Sequence, residues 1–203
     1  MPDPQPGPGD VVVAVHATAL NRLDIVQRNG WFTLPGFSLP HISGMDLAGQ
    51  IVALGSAVEH WQIGDRVVAD PSLNDVRADS SLANQGDRYG ELGVIGATQP
   101  GGYGALCCVP ADHVHRVPDD MDFITAAVFA TAWMTADHAL FETGQLRQGE
   151  TLLLHGATSS LSMAAIQLAK AAGATVLATA GTPSKCAKAL QLGAAAAANN
   201  RSE

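Results

Sequence analysis

"GETLLLHGATSSLSMAAIQLAKAAGATVLATAGTPSKCAKALQLGA", residues 149–194, decides the fold. An apolar run at 151–154 enters a turn. A segment of Ala, Ile, Leu and Lys with helical period leaves that turn, and a second apolar run begins at Thr175. Strand, turn, helix, strand is the unit of a parallel sheet. A second helix follows, because Thr182 is a natural N-cap, Pro183 suits the first helical position, and Gly193 is a natural stop. A turn that cradles a pyrophosphate is usually glycine-rich. Here Gly156 is followed by Ser159, Ser160 and Ser162.

Outward from this segment the character changes. Residues 1–9 are rich in Pro and Gly and read as extended. Residues 10–18 alternate as a strand, with Val11, Val13 and Val15 on one face. Residues 21–28 read as a short helix and 30–40 as a Gly/Pro loop. Residues 49–55 and 63–70 read as strands with glycine turns, and "GYGALCCVP" and "HVHRVP" as two more. Between them, 71–102 is a long polar lobe, a length usually tied to function. After Pro118 the chain turns Ala-rich and helical over 122–142. Residues 194–198, "AAAAA", form a weak low-complexity run.

Composition narrows the function. The chain has 203 residues, 47% hydrophobic and 15% charged, with a net charge of −8. An acidic chain without a Lys/Arg block is unsuited to nucleic acid, whose affinity rests on cations neutralising phosphates. No apolar stretch reaches the roughly 20 residues of a membrane span. The first ten residues lack a signal-peptide pattern. Three cysteines, Cys107, Cys108 and Cys186, form no disulfide framework, so a reducing cytoplasm is expected. Cys107 and Cys108, adjacent in a strand, should face opposite ways. His113 and His115, two apart on one strand, share a face; surface roles are the simpler reading, and His41 reads as a loop residue.

The order of pieces carries a resemblance. "GDVVVAVHATALNRLDIVQRNG", "LPHISGMDLAGQIVALGSAVEHWQIGDRVV", "GGYGALCCVPADHVHRVPDDMDF" and the 149–194 segment are together similar to the medium-chain dehydrogenase/reductases, the zinc-type alcohol dehydrogenases and their zinc-independent quinone and enone reductase relatives. The spacing Gly44-x-Asp46-x-x-Gly49, Gly55, Gly64-Asp65-Arg66-Val67 is specific. The resemblance implies an α/β fold with a β-rich part: a GroES-like catalytic domain over 1–118, then the first part of a Rossmann domain over 119–203. It implies that the chain opens inside the family's first Pro-rich segment and stops after the second Rossmann helix. It also implies a homodimer, a state left open here.

The resemblance carries roles onto residues. The zinc positions are Asn21, Met45 and, by a looser alignment, Thr131, none a good ligand; a thioether suits copper better. The four structural-zinc positions read Asp75, Ala78, Ser81 and Tyr89. Zinc is therefore not expected at either place. Asn21 and Asp24 would line the substrate side, Asp46 would orient groups there, and Thr135 would contact the nicotinamide end. The cofactor loop would comprise Gly156, Ala157, Ser159, Ser160, Leu161 and Ser162. Serine can cap a helix or bond a phosphate, but at position 160 it suits a left-handed backbone poorly. At the end of the second strand, Ala180 and Thr182 offer no acid for a ribose hydroxyl and Lys185 lies beyond, which favours NADP over NAD, although no Arg accompanies the Lys. The implied reaction is reduction of a quinone, enone or carbonyl by hydride transfer, with an aldehyde or alcohol also possible as substrate. A non-catalytic binder and a truncated, incompetent product are alternative readings.

Overall fold

The computed structural model describes residues 1–34, 37–73 and 93–202. The four positions read as lost structural-zinc ligands, Asp75, Ala78, Ser81 and Tyr89, lie outside them. The chain divides into two compact units, residues 1–131 and 132–203. Each has a core of its own.

The first unit is built on β1 (Asp10–Ala19), α1 (Arg22–Arg28), β2 (Asp46–Leu54), β3 (Arg66–Ala69), β4 (Leu106–Pro110), β5 (Val114–Arg116) and α2 (Phe123–Ala127). Its strands form one antiparallel sheet in the order β4-β1-β2-β3-β5. Alternation along β1 and β4 puts Val11, Val13, Cys107 and Val109 inward, against Leu47, Ile51 and Val67. α2 starts where the Asp122 carboxylate accepts from Thr125 N at 2.6 Å. It packs Ala126 and Ala127 onto Ala48 and Val117, so this helix belongs to the sheet before it rather than to the segment after it. The compact division therefore falls after Thr131, beyond the change of composition at Pro118.

α3 (Ala130–Asp137) spans that division and continues as a π-helical turn over His138–Thr143. The second unit alternates β6 (Thr151–His155), α4 (Ser160–Ala171), β7 (Thr175–Ala180), α5 (Pro183–Leu192) and β8 (Ala196–Asn199). The strands are parallel, ordered β6-β7-β8. α4 buries Ala164, Ala165, Ile166 and Ala169 against Val176, Ala178 and Ala180. α5 is capped as its sequence indicates: Thr182 accepts from Lys185 N, and Gly193 stops the helix in left-handed geometry.

Most of the alanine run becomes β8, because β7 offers an open ladder that a weak strand former can complete. One expectation needs correction. His113 and His115 do not share a strand face, since His113 ends a 3₁₀ turn and only His115 lies in β5. Cys107 is buried and Cys108 half-buried, as alternation requires. Burial pushes the Cys107 thiol up to about 12, and burial together with Asp10 pushes Cys108 up to about 11.

Ile51 and Ile166 are both fully buried, one in each core. Each truncation to Ala should cost about 2–5 kcal/mol. Amide hydrogen exchange checks where that loss falls: Ile166→Ala should deprotect β6 and β7, and Ile51→Ala should deprotect β1 and β2.

Candidate functional site

The structure brings Asn21, Asp24 and Asp46 together. β1 and β2 pair with Ala19 opposite Asp46, so the chain leaving β1 passes beside that carboxylate. Asn21, the N-cap of α1, donates from Nδ2 to Asp46 Oδ2 at 3.0 Å. Thr131 donates to Asp46 Oδ1 twice, from its backbone N at 3.0 Å and its hydroxyl at 2.7 Å. Thr18 Oγ1 holds the Asp46 carbonyl at 2.5 Å. Asp46 is 3% exposed, and these partners let a carboxylate sit there.

Asp24 anchors the other side. It accepts from Asn21 N at 2.7 Å, from Gly44 N at 3.2 Å and from the Tyr103 hydroxyl at 2.7 Å. Gly44 has φ +106°, and a Cβ there would come within 2.5 Å of the Tyr103 ring. Only glycine permits both the turn and that approach. Segment 101–103 runs along 42–44 through Gly101 N to Ile42 O, Gly102 N to Gly44 O and Tyr103 N to Ser43 O. That pairing carries Tyr103 to Asp24. His41 shares a 3.0 Å hydrogen bond with the Gly96 carbonyl and packs against Phe37, as a loop anchor does.

The residues at the zinc positions are engaged otherwise. Asn21 and Thr131 both bond Asp46, and Met45 packs on the apolar cluster of Leu34, Val94 and Ala97. An amide, a hydroxyl and a thioether are a donor set that does not fit zinc. Beside β4 lies a groove of ≈ 390 Å³ lined in part by Asp10, Cys107 and Cys108, and it contains none of the residues expected to act.

In the second unit the expected cofactor residues gather at the carboxyl ends of β6 and β7, where open α/β sheets bind ligands. Gly156 turns the chain with φ +66° and has open space where a Cβ would stand. Ala157 is buried, its N–H bonded to Thr179 O at 2.9 Å. Ser159 is the N-cap of α4: its hydroxyl accepts from Ser162 N at 3.1 Å and donates to Ser162 Oγ at 2.9 Å. Ser162, 5% exposed, passes its own proton to His155 O at 3.2 Å. These two hydroxyls hold the helix start close to β6. Ser160 and Leu161 are exposed, and as first helical residues their N–H groups have no acceptor within the helix. Among the described residues Gln145 is the only non-glycine with positive φ, so position 160 carries no left-handed strain. The loop fits a dinucleotide's pyrophosphate. Thr135 lies on α3 and is exposed.

Tyr103 and Arg201 were not singled out from the sequence, and Thr131 only as a zinc position. Tyr103 and Thr131 complete the two carboxylate networks. Arg201, from the turn after β8, lies beside Gly181 at the end of β7: a Cβ on Gly181 would be 3.3 Å from Arg201 Nε. The expectation that no Arg accompanies Lys185 at that strand end is thereby corrected, since the parallel pairing of β7 with β8 returns a distant residue to it.

Residues 7–119 match the alcohol dehydrogenase GroES-like domain. The quinone oxidoreductase of Pseudomonas aeruginosa is 32% identical over 94% of this chain and 50% of its own length. The crystal structure of an NAD-dependent alcohol dehydrogenase superposes with TM-score 0.91 at 35% identity, over 99% of this chain and 58% of that one. The Escherichia coli quinone oxidoreductase solved with NADPH gives TM-score 0.79 at 28% identity, over 100% of this chain and 54% of that one. The chain spans about half the length of the curated relatives it matches. Among the described residues no helix is long and apolar enough to cross a membrane.

Asp46→Ala should leave the Asn21 amide and the Thr131 donors unmatched and cost about 1–3 kcal/mol in urea unfolding. Tyr103 supplies a pH test. Burial first, then the hydrogen bond to Asp24 and the charges of Asp24 and Asp46, hold its phenol above the ordinary tyrosine range. A raised folded value means the stability it contributes is full below the unfolded value of about 10 and falls as pH rises through the folded one. In alkaline titration Tyr103→Phe should remove the tyrosine that ionises late, and the variant should lose stability less steeply above about pH 10.

Proposed function

The chain belongs to the medium-chain dehydrogenase/reductase family through its alcohol dehydrogenase GroES-like domain, and from that premise we propose that it serves NADPH-dependent, zinc-independent reduction of a quinone, an enone or a carbonyl. The observation that carries this reading is the Asn21–Asp46–Thr131 network. An asparagine amide has two N–H donors and one acceptor oxygen. Asp46 takes one donor, which fixes the amide and leaves the second for a substrate oxygen. A bound nicotinamide supplies a hydride to the substrate carbon. As that hydride arrives, negative charge grows on the conjugated oxygen, and a preorganised donor such as Asn21 lowers the barrier by meeting it. Asp46 is a positioning residue, holding Asn21 in one orientation. Asp24 does the same for the start of α1 through Asn21 N. Solvent provides the proton that completes the reduction.

At the cofactor end, Ser160 and Leu161 N–H would take the pyrophosphate at the turn made by Gly156 and Ala157, with Ser159 and Ser162 holding the helix start. Thr135 would face the nicotinamide, and Ala180, Thr182 and Lys185 the adenosine. The likeness to quinone oxidoreductases, one of them solved with NADPH, supports the choice of substrate class and cofactor.

The test is a titration with NADPH, followed by fluorescence, and then addition of a quinone with absorbance recorded. Asn21→Ala should lower kcat about a hundredfold while NADPH affinity stays as in the parent. Binding without turnover in the parent would favour a non-catalytic binder. Stoichiometric zinc by elemental analysis would overturn the zinc-independent assignment.

A further inference from the structure

Between Asp10 and Asp46 the chain has one acidic residue, Asp24. That carboxylate is 7% exposed, and its oxygens are taken by Asn21 N, Gly44 N and the Tyr103 hydroxyl. In a chain of net charge −8, this stretch offers solvent no open carboxylate. It does offer cations. α1 buries Asp24 and Gln27 on one side, while Arg22, Ile25 and Arg28, spaced three apart, are exposed on the other. Large apolar side chains stand around them. Leu20, just before α1, is 81% exposed, and Ile25 is 45% exposed. After the helix, Trp31 is 69% exposed and Phe32 54%. Trp31 N bonds Val26 O at 3.0 Å, which keeps this aromatic pair at the end of α1. Apolar side chains gathered on a surface and bordered by charge mark a place of contact.

We propose that this face, formed by Leu20, Arg22, Ile25, Arg28, Trp31 and Phe32, docks on an anionic lipid surface. Its apolar side chains enter the boundary between headgroups and acyl chains, where an indole is favoured because its ring is apolar and its N–H still finds a polar partner. The two guanidiniums meet lipid phosphates. Acids elsewhere in the chain are screened beyond about 8 Å at physiological salt, so the side chains at the face decide the contact. The competing occupant is an acidic protein surface. Lipid is favoured because the patch projects from a helix face and the turn after it, and the groove beside β4 is lined by none of its residues. A fluid surface receives a projecting patch without a matching shape. Docking would also bring Asn21, the N-cap of α1, beside the medium in which an apolar quinone dissolves. That consequence rests on the reductase reading; the docking does not.

Flotation with vesicles of phosphatidylcholine and phosphatidylglycerol in equal parts, and with vesicles of phosphatidylcholine alone, tests this without cofactor or quinone. The mixed vesicles should carry the chain upward, the neutral ones far less, and high salt should remove the difference. Arg22→Gln combined with Arg28→Gln should weaken binding to the mixed vesicles about tenfold. Trp31→Ser combined with Phe32→Ser should weaken binding to both kinds about tenfold or more. Brominated acyl chains should quench the tryptophan emission of the parent but not that of Trp31→Ser, which keeps Trp61 and Trp133. All four substituted side chains are exposed, so circular dichroism should be unchanged. No flotation with the mixed vesicles, binding indifferent to lipid charge, or quenching that survives Trp31→Ser would overturn the docking and leave the reductase reading standing. A parent that ignores vesicles but forms a dimer lost in Trp31→Ser with Phe32→Ser would overturn it in favour of a second copy. Vesicle binding without quinone turnover would uphold the docking and remove only its consequence for Asn21.

Discussion

Two buried carboxylates constrain the first unit. Asp24 and Asp46 are 7% and 3% exposed, and a carboxylate taken out of water must be met by donors or the fold opens to let water reach it. The donors come from separate stretches of chain: Asn21 from the end of β1, Gly44 from the turn before β2, Tyr103 from the segment before β4, and Thr131 from α3. Satisfying the charges therefore fixes where these stretches sit. Asn21 is held as a consequence, with its backbone on one carboxylate and its side chain on the other. The stability of this corner and the orientation of the Asn21 amide rest on the same hydrogen bonds.

The second unit meets a different demand at the start of α4. A helix that follows a strand through a tight turn needs its first N–H groups answered and its first turn close to the strand. Ser159 and Ser162 meet both needs with a chain of three hydroxyl bonds ending on His155 O. Glycines elsewhere in the family achieve closeness by having no side chain. Serines achieve it here by bonding inward. The groups left facing outward are main-chain N–H, which do not depend on the side chain.

Local signals made the second unit legible. The caps at Thr182 and Gly193 and the helical period after Ser159 mark α4 and α5 within a residue or so. β8 was not legible, because alanine has little strand preference and the strand exists only through its ladder with β7. In the site, Asn21, Asp24 and Asp46 could be placed through the family resemblance, since they sit on its motifs. Tyr103 could not, and Thr131 only as a zinc position and not as a partner of Asp46: they lie 79 residues from Asp24 and 85 from Asp46, and no period or cap links residues so far apart. Arg201 reads as a polar tail residue until the parallel register returns it to Gly181. What escaped the sequence is what long-range pairing creates.

Charge gives these placements their weight. Of the 19 acidic residues, 18 lie within residues 1–150 and the other is Glu203, so the overall field disfavours an anionic cofactor. Such a field is screened within about 8 Å at physiological salt. An anion can then be captured only by donors in direct reach, which must themselves be free of competing acids. The segment 151–202 meets that condition by containing none. Its exposed donors at the carboxyl ends of β6 and β7 are the main chain at Ser160 and Leu161 and the cations Lys185 and Arg201. A side chain at Gly181 would crowd the Arg201 guanidinium, whose Nε lies 3.3 Å from where a Cβ would stand, so the bare glycine is part of how that cation is presented.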